Sequence, residues 1–85
     1  MNVKFTSNSW QDYIYWQKTD KIIVKKINEL IKEICRNPFK GTGKPEPLKY
    51  DLAGCWSRRI TGEHRLVYQV ENDEIIIIAC RYHYD

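Results

Sequence analysis

A glutamate, a histidine and several arginines in this sequence are the residue types that acid–base cleavage of a phosphodiester requires. Glu46 stands between Pro45 and Pro47, and His83 stands between two tyrosines. Proline fixes its own backbone and favours an extended backbone in the residue before it, so little entropy is lost when the Glu46 carboxylate is held in place. Glu46 is therefore a candidate general base, although a loop stiffened for stability would carry the same residues.

Three arginines could bind the phosphate, and strand periodicity decides which of them share a face. Alternate side chains of a strand point to opposite sides, so Arg58 and Arg59 cannot face the same way. The apolar pattern sends Arg59 to the same face as Arg65, with Lys49 nearby. Guanidinium groups on one face would bind a phosphate and stabilise the charge that grows on it in a transition state. Charges that protect an edge strand from aggregation would give the same pattern.

The histidines and tyrosines offer a general acid and a stacking surface. Histidine has an unperturbed pKa of about 6.5, which suits His83 to proton transfer near neutrality, although many histidines near a terminus are simply exposed. Tyr82 and Tyr84 could stack on an RNA base or cover the rim of the sheet. His64 is the weaker candidate because its position in a strand points it towards the side covered by helices. Glu63 is a reserve for the role of base.

The elements predicted to carry these residues begin with one strand and two helices. Residues 3–5 alternate like a strand. Ser9 and Asp12 resemble a capping box, so the first helix is expected to start there. Asp20 can cap a second helix, whose apolar stripe ends at the Asn-Pro pair at positions 37 and 38.

Beyond a loop rich in glycine and proline, the hydrophobic period changes to two and predicts four strands joined by short turns, at residues 48–52, 55–60, 64–71 and 74–81. Strands joined in this way are antiparallel. The last is apolar on both faces, so we expect it to be central, with the first strand along its free edge. The predicted fold is α+β, in the order β-α-α-β-β-β-β: a small antiparallel sheet backed on one face by two N-terminal helices, with an open, partly basic face opposite.

Length and composition indicate one domain over residues 1–85, with 42% hydrophobic residues. The three cysteines are an odd number without a close pair, which argues against a disulfide framework or a zinc site and for a reducing compartment. The sequence shows no signal peptide and no apolar run long enough to span a bilayer. We therefore expect a cytoplasmic protein without a membrane partner.

Positive charge is concentrated before residue 69. Residues 1–39 hold seven Lys or Arg against four Asp or Glu, and residues 40–68 hold six against three, whereas residues 69–85 hold one against four. This bias favours a polyanionic partner such as RNA, and an ordinary solvated surface would account for it equally.

Several long stretches of the sequence resemble the YoeB toxins, within the RelE-like family of messenger RNA interferases. They are SWQDYIYWQ, DKIIVKKINELI, GKPEPLK, WSRRITGEHRLVY and CRYHY. The resemblance implies a RelE-like sheet with two N-terminal helices, and a toxin that cleaves messenger RNA on the ribosome, in the decoding site, without a metal or other cofactor.

The resemblance also implies a role for each candidate residue. Glu46 would be the general base that activates a ribose 2′-hydroxyl, and His83 the general acid that protonates the leaving 5′-oxygen. A 2′,3′-cyclic phosphate would form first. Arg65 would stabilise the phosphate, and Tyr84 would help to position the substrate. Lys49 and Arg59 would assist Arg65. Asp85 follows Tyr84, where many relatives are expected to end.

The partners implied by the resemblance are the ribosome, messenger RNA, a YefM-like antitoxin and a second copy of the chain. A disordered antitoxin segment would fold onto the toxin and cover or distort the site. Trp10, Tyr13 and Trp16 have the helical spacing of core residues, and they could instead contribute to a homodimer interface. A non-catalytic module that binds RNA or an antitoxin stays open as an alternative function.

Overall fold

The computed structural model describes residues 1–82, so the predictions for His83, Tyr84 and Asp85 lie outside the described residues. The elements, in chain order, are β1 (Asn2–Phe5), α1 (Ser7–Thr19), α2 (Lys21–Arg36), β2 (Glu46–Pro47), a 3₁₀ turn (Tyr50–Leu52), β3 (Trp56–Arg59), β4 (Arg65–Glu71) and β5 (Glu74–Ala79). This order confirms the predicted fold class, in which two N-terminal helices pack against a small, mostly antiparallel sheet.

The two helices begin at side chains that accept hydrogen bonds from their first turns. Thr6 caps α1, and its Oγ1 accepts from the Ser9 amide at 3.1 Å. The prediction that Ser9 is the cap is wrong, because β1 ends at Phe5 and leaves Thr6 as the one residue between strand and helix. Asp20 caps α2 as predicted, accepting from the Ile22 amide at 3.0 Å.

Within the described residues, the five strands form one sheet in the order β1-β5-β4-β3-β2. β1 lies along the free edge of β5 as predicted, and the two strands are parallel, with Asn2 opposite Glu74 and Phe5 opposite Ile77. The other neighbours are antiparallel. β5 has a neighbouring strand on each side, as expected for a strand that is apolar on both faces. The middle position of the five strands, however, is occupied by β4.

The strand predicted at residues 48–52 is wrong. Extended pairing is confined to β2, where Glu46 lies opposite Ser57. Tyr50 has a positive φ of 58°, which takes the chain out of the extended region and into the 3₁₀ turn. The turn folds over the sheet, so Leu48 is buried against Val67 and Ala79. The face that we expected to be open is therefore partly covered.

The main core lies between α2 and the opposite face of the sheet. Ile27, Leu30 and Ile34 of α2 are buried against residues of β4 and β5, among them Leu66, Tyr68, Ile75 and Ile77. Of the α1 aromatics, Trp16 is buried as expected for core, whereas Trp10 is 46% exposed. In the described part of the chain, neither helix is long and apolar enough to cross a membrane.

Candidate active site

The registers of three neighbouring strands bring Glu46 and Arg65 together. Glu46 lies opposite Ser57 in the β2–β3 pair, and Arg59 lies opposite Arg65 in the β3–β4 pair. All four side chains therefore belong to one face of the sheet. Arg65 Nη1 lies 3.9 Å from Glu46 Oε2, an ion pair. The same nitrogen donates a hydrogen bond to Ser57 Oγ at 3.4 Å. A candidate base and a candidate phosphate ligand are thus neighbours.

Arg65 and Glu46 differ in how firmly they are held. The side chain of Arg65 is 10% exposed, and that of Glu46 is 58% exposed. An ion pair with one exposed member at this distance contributes little to stability. Arg65 Nε is buried, with no hydrogen-bond partner in the part of the chain that the structure describes. A buried donor left without a partner costs about 1–3 kcal/mol.

Arg59, which lies opposite Arg65 in the β3–β4 pair, and Lys49 are exposed cations. The backbone amide of Arg59 donates to the Gly43 carbonyl at 2.7 Å, which joins β3 to the loop before β2. Arg59 lines a shallow cleft of about 340 Å³ together with Lys26 and Lys44. Cations that converge from a helix, a loop and a strand favour a polyanion at this end of the sheet. Lys49 immediately precedes the 3₁₀ turn.

Residues 80–82, here called the 80–82 segment, follow β5 and are bound to α1. The Cys80 amide donates to Asp12 Oδ2 at 3.0 Å, and Trp16 Nε1 donates to the Cys80 carbonyl at 2.8 Å. The Arg81 guanidinium lies 3.6 Å from the ring centroid of Tyr15, a cation–π contact. Asp12, which we assigned to a capping box, instead holds the backbone at the end of β5.

The same segment is bound to the start of β4 through Tyr82. The Tyr82 amide donates to His64 Nδ1 at 2.8 Å, and the Arg65 amide donates to the Tyr82 carbonyl at 2.9 Å. His64 faces the helices, as strand parity predicted, and its ring lies edge-to-face with Trp16 at 4.8 Å. Glu63, the reserve base, is 81% exposed, and its Oε2 is 3.7 Å from His64 Nε2. The last described residue is therefore fixed beside Arg65.

Arg58 supports the site, and sequence reasoning gave it no role. It is fully buried on the helix side of the sheet. It donates to Tyr68 Oη and the Thr42 carbonyl, each at 3.1 Å, and also to the carbonyls of Asn37 and Lys40. These bonds tie the loop that leads to β2 onto the sheet. The sequence held one sign of this role: the alternation of side chains along the strand places Arg58 on the face that packs against the core.

Cys80 and Cys55 are disfavoured as ionised nucleophiles by their burial. Burial, with the negative charge of Asp12, raises the pKa of Cys80 to about 12, and burial also raises the pKa of Cys55. All three cysteines are free. Within residues 1–82, no three His, Cys, Asp or Glu side chains are arranged to hold a metal ion.

Comparison with known proteins identifies the family. Residues 5–84 match the model of the YoeB-like toxin of bacterial type II toxin–antitoxin systems. Toxin YoeB of Escherichia coli K12 is 66% identical over 84 residues, which cover 99% of this chain and 100% of that protein.

Solved structures agree with this match. The YoeB/ParE toxin from Agrobacterium tumefaciens superposes with a TM-score of 0.96 at 55% identity, covering 99% of this chain and 100% of that one. Two Staphylococcus aureus structures, a YoeB dimer and a YoeB–YefM complex, have TM-scores of 0.92 and 0.91 at 53% and 52% identity, and each covers 99% of this chain and 98% of its own. The chain therefore belongs to the YoeB-like toxins of bacterial type II toxin–antitoxin systems.

Proposed function

We propose that this chain inhibits translation as a ribosome-dependent endoribonuclease, cleaving messenger RNA in the decoding site. The observation that carries the proposal is the placement of Glu46 3.9 Å from Arg65, whose own backbone binds the 80–82 segment. His83 follows that segment directly in the sequence. The proposed base and phosphate ligand are thus neighbours, and the segment that precedes the proposed acid is bound beside them.

Each residue has one step in the proposed reaction. Glu46 removes the proton from a ribose 2′-hydroxyl, and the 2′-oxygen attacks the neighbouring phosphorus. Arg65 stabilises the negative charge that grows on the phosphate oxygens. The bond to the 5′-oxygen breaks as His83 donates a proton to it, leaving a 2′,3′-cyclic phosphate and a 5′-hydroxyl. Each proton transfer contributes about 10²- to 10⁴-fold to the rate.

Neighbouring side chains assist these three. Lys49 and Arg59 add positive charge close to Arg65, and Arg59 joins the cleft with Lys26 and Lys44 along which an RNA backbone can run. Tyr84 positions the substrate. No step in this scheme requires a metal ion or another cofactor.

The exposure of Glu46 supports the proposed dependence on the ribosome. Its side chain is 58% exposed, so the protein alone does not hold a flexible RNA strand in line with the base. Holding reactants in a near-attack geometry is worth several kcal/mol of the barrier. In the decoding site the messenger is already held, and the ribosome supplies that share of the positioning.

The proposed partners follow from the family. Staphylococcus aureus YoeB forms a complex with YefM and a dimer. For this chain we assign a YefM-like antitoxin, whose segment covers or distorts the site, and a homodimer. The exposed Trp10 on α1 is available to an interface between copies.

The proposal is tested by inducing the chain in cells and mapping RNA 5′ ends. We expect new ends inside translated codons, and we expect Glu46→Gln and His83→Gln to abolish them while ribosome binding persists. Glu63→Gln, which makes the same change at another exposed carboxylate, is the matched control and should cleave. Unchanged RNA with the unmodified chain defeats the nuclease proposal, and a His83→Gln variant that still arrests growth without cutting RNA favours a non-catalytic binding module. Wild-type cleavage by Glu46→Gln refutes the base assignment.

A further inference from the structure

The peptide groups on both sides of Tyr82 are bound by consecutive residues at the start of β4. His64 Nδ1 accepts from the Tyr82 amide at 2.8 Å, and the Arg65 amide donates to the Tyr82 carbonyl at 2.9 Å. Tyr82 adopts a positive φ of 69°. A left-handed conformation is uncommon for a bulky residue and persists only where its surroundings impose it. The two bonds impose it here.

The imidazole that accepts this bond is itself fixed. The His64 side chain is 13% exposed. Its ring packs edge-to-face on Trp16, and its own amide donates to Thr61 Oγ1 at 3.0 Å. An acceptor needs a lone pair on Nδ1, so the ring proton must be on Nε2, the nitrogen that lies 3.7 Å from Glu63 Oε2. A single tautomer of His64 therefore fits the geometry.

These contacts matter little for the stability of the fold. Tyr82 is 55% exposed, so water can replace His64 as the partner of its amide. The attachments of the 80–82 segment to α1 act on earlier residues, through Asp12 and Trp16 on Cys80 and through Tyr15 on Arg81. The Arg65 amide binds the Tyr82 carbonyl, so His64 holds the other side of this residue. The bond from His64 therefore sets the direction of the chain after β5 more than it stabilises the fold.

We propose that His64 is a positioning residue for catalysis, which holds Tyr82 beside Arg65 by accepting the Tyr82 amide. This inference rests on the proposed function, because the residue after Tyr82 is the proposed general acid. His64 takes no part in proton transfer itself. Its role depends on one acceptor atom at the place of Nδ1 and not on the size of the ring.

Asparagine and leucine form the matched pair that tests this role. Asn has an oxygen close to the position of Nδ1, whereas Leu has nearly the same shape and no acceptor. We expect His64→Leu to lower the kcat of ribosome-dependent cleavage about 10- to 100-fold, the range that a displacement of about 1 Å produces. The KM for programmed ribosomes should not change. His64→Asn should stay within a few-fold of the unmodified chain.

Hydrogen exchange of the Tyr82 amide gives a second readout that does not depend on cleavage. The exchange rate of this amide is measured by NMR, with every chain carrying His83→Gln. The amide should be protected in the chain that keeps His64 and in the His64→Asn variant. It should exchange faster in the His64→Leu variant. If Leu prevents folding, His64→Gln replaces it, because its amide group reaches the position of Nε2 and not that of Nδ1. Equal loss of activity in the Asn and Leu variants would assign the effect to packing on Trp16 and overturn the proposal.

The two readouts separate this inference from the proposed function. If the unmodified chain cleaves no RNA, the nuclease proposal fails, and Tyr82 exchange still decides whether His64 holds the segment. If the unmodified chain cleaves and His64→Leu matches it in rate or in exchange, the positioning role is wrong.

Discussion

Replacing Arg58 with methionine should cost the protein about 3–5 kcal/mol of its free energy of unfolding, the range for breaking a buried charged network. The side chain is fully buried and donates to four oxygen atoms, three of them loop carbonyls. Methionine has a similar unbranched shape and none of these donors.

The magnitude follows from what each acceptor does after the change. A hydrogen bond from a charged donor is worth about 1.5–3 kcal/mol, so four independent bonds would exceed this range. Asn37, Lys40 and Thr42 are exposed residues, so water can reach their carbonyls once the loop relaxes. Tyr68 Oη keeps its bond to the Pro38 carbonyl at 2.6 Å. These compensations bring the expected loss down to about 3–5 kcal/mol.

Arg59→Met is the matched control, since it makes the same change one position along the chain. Arg59 is exposed, and its backbone bond to Gly43 does not involve the side chain. Its loss should stay within about 0.5 kcal/mol. An 85-residue domain has about 4–13 kcal/mol of stability in total. The change at Arg58 should therefore lower Tm by roughly 12–40 °C, at about 4–8 °C per kcal/mol for a domain of this size.

The assay is urea unfolding followed by tryptophan fluorescence, with every variant made in a His83→Gln background to avoid toxicity. The midpoint should fall for Arg58→Met at an unchanged m-value, which shows that stability and not compactness has changed. A variant that stays within 1 kcal/mol of its parent would refute the reasoning. The bonds from Arg58 would then have no net value, and the loop before β2 would be held by other contacts.

Two further predictions concern Cys80 and metal ions. Because the pKa of Cys80 is raised from 9.0 to about 12, the folded chain keeps a proton that the unfolded chain loses. Cys80 should therefore contribute at most about 4 kcal/mol to the free energy of unfolding below pH 9, and this contribution should fade as the pH rises towards 12. Urea titrations at a series of pH values should show a shallower decline of stability for Cys80→Ala than for its parent. Identical slopes of stability against pH would contradict the raised pKa. Cleavage should persist in EDTA under conditions that keep ribosomes intact, and a strict requirement for added Zn²⁺ would rule out the metal-free reaction.

The fold was predictable where one local signal decided the structure. Asp20 separates the two helices because its side chain can cap the second, and the alternating pattern identified β3, β4 and β5. The strand predicted at residues 48–52 was wrong because Leu48 and Leu52 have the spacing of one face of a strand. In the structure these two side chains pack against the sheet from the 3₁₀ turn and the residues before it. A pattern of apolar residues reports which side chains are buried, and does not report the backbone that buries them.

The site was predictable to the extent that strand parity decides it. Parity placed Arg59 and Arg65 on one face and His64 on the other. Strand parity could not show that Arg58 binds loop carbonyls, because these acceptors are backbone atoms of exposed residues and have no signature in the sequence. The partners of Tyr82 were hidden for the same reason, since they are set by the fold between residues far apart in the chain.

The parallel pairing of β1 with β5 has a consequence for biosynthesis. Asn2–Phe5 leave the ribosome before the helices do, but their partners in β5 are made about seventy residues later. Contacts between such distant segments form late, since the whole intervening chain must be ordered around them. The 80–82 segment can meet α1 and His64 only after β5 has joined the sheet. The contacts between this segment and the residues beside the proposed site therefore form only after residues 80–82 have left the ribosome.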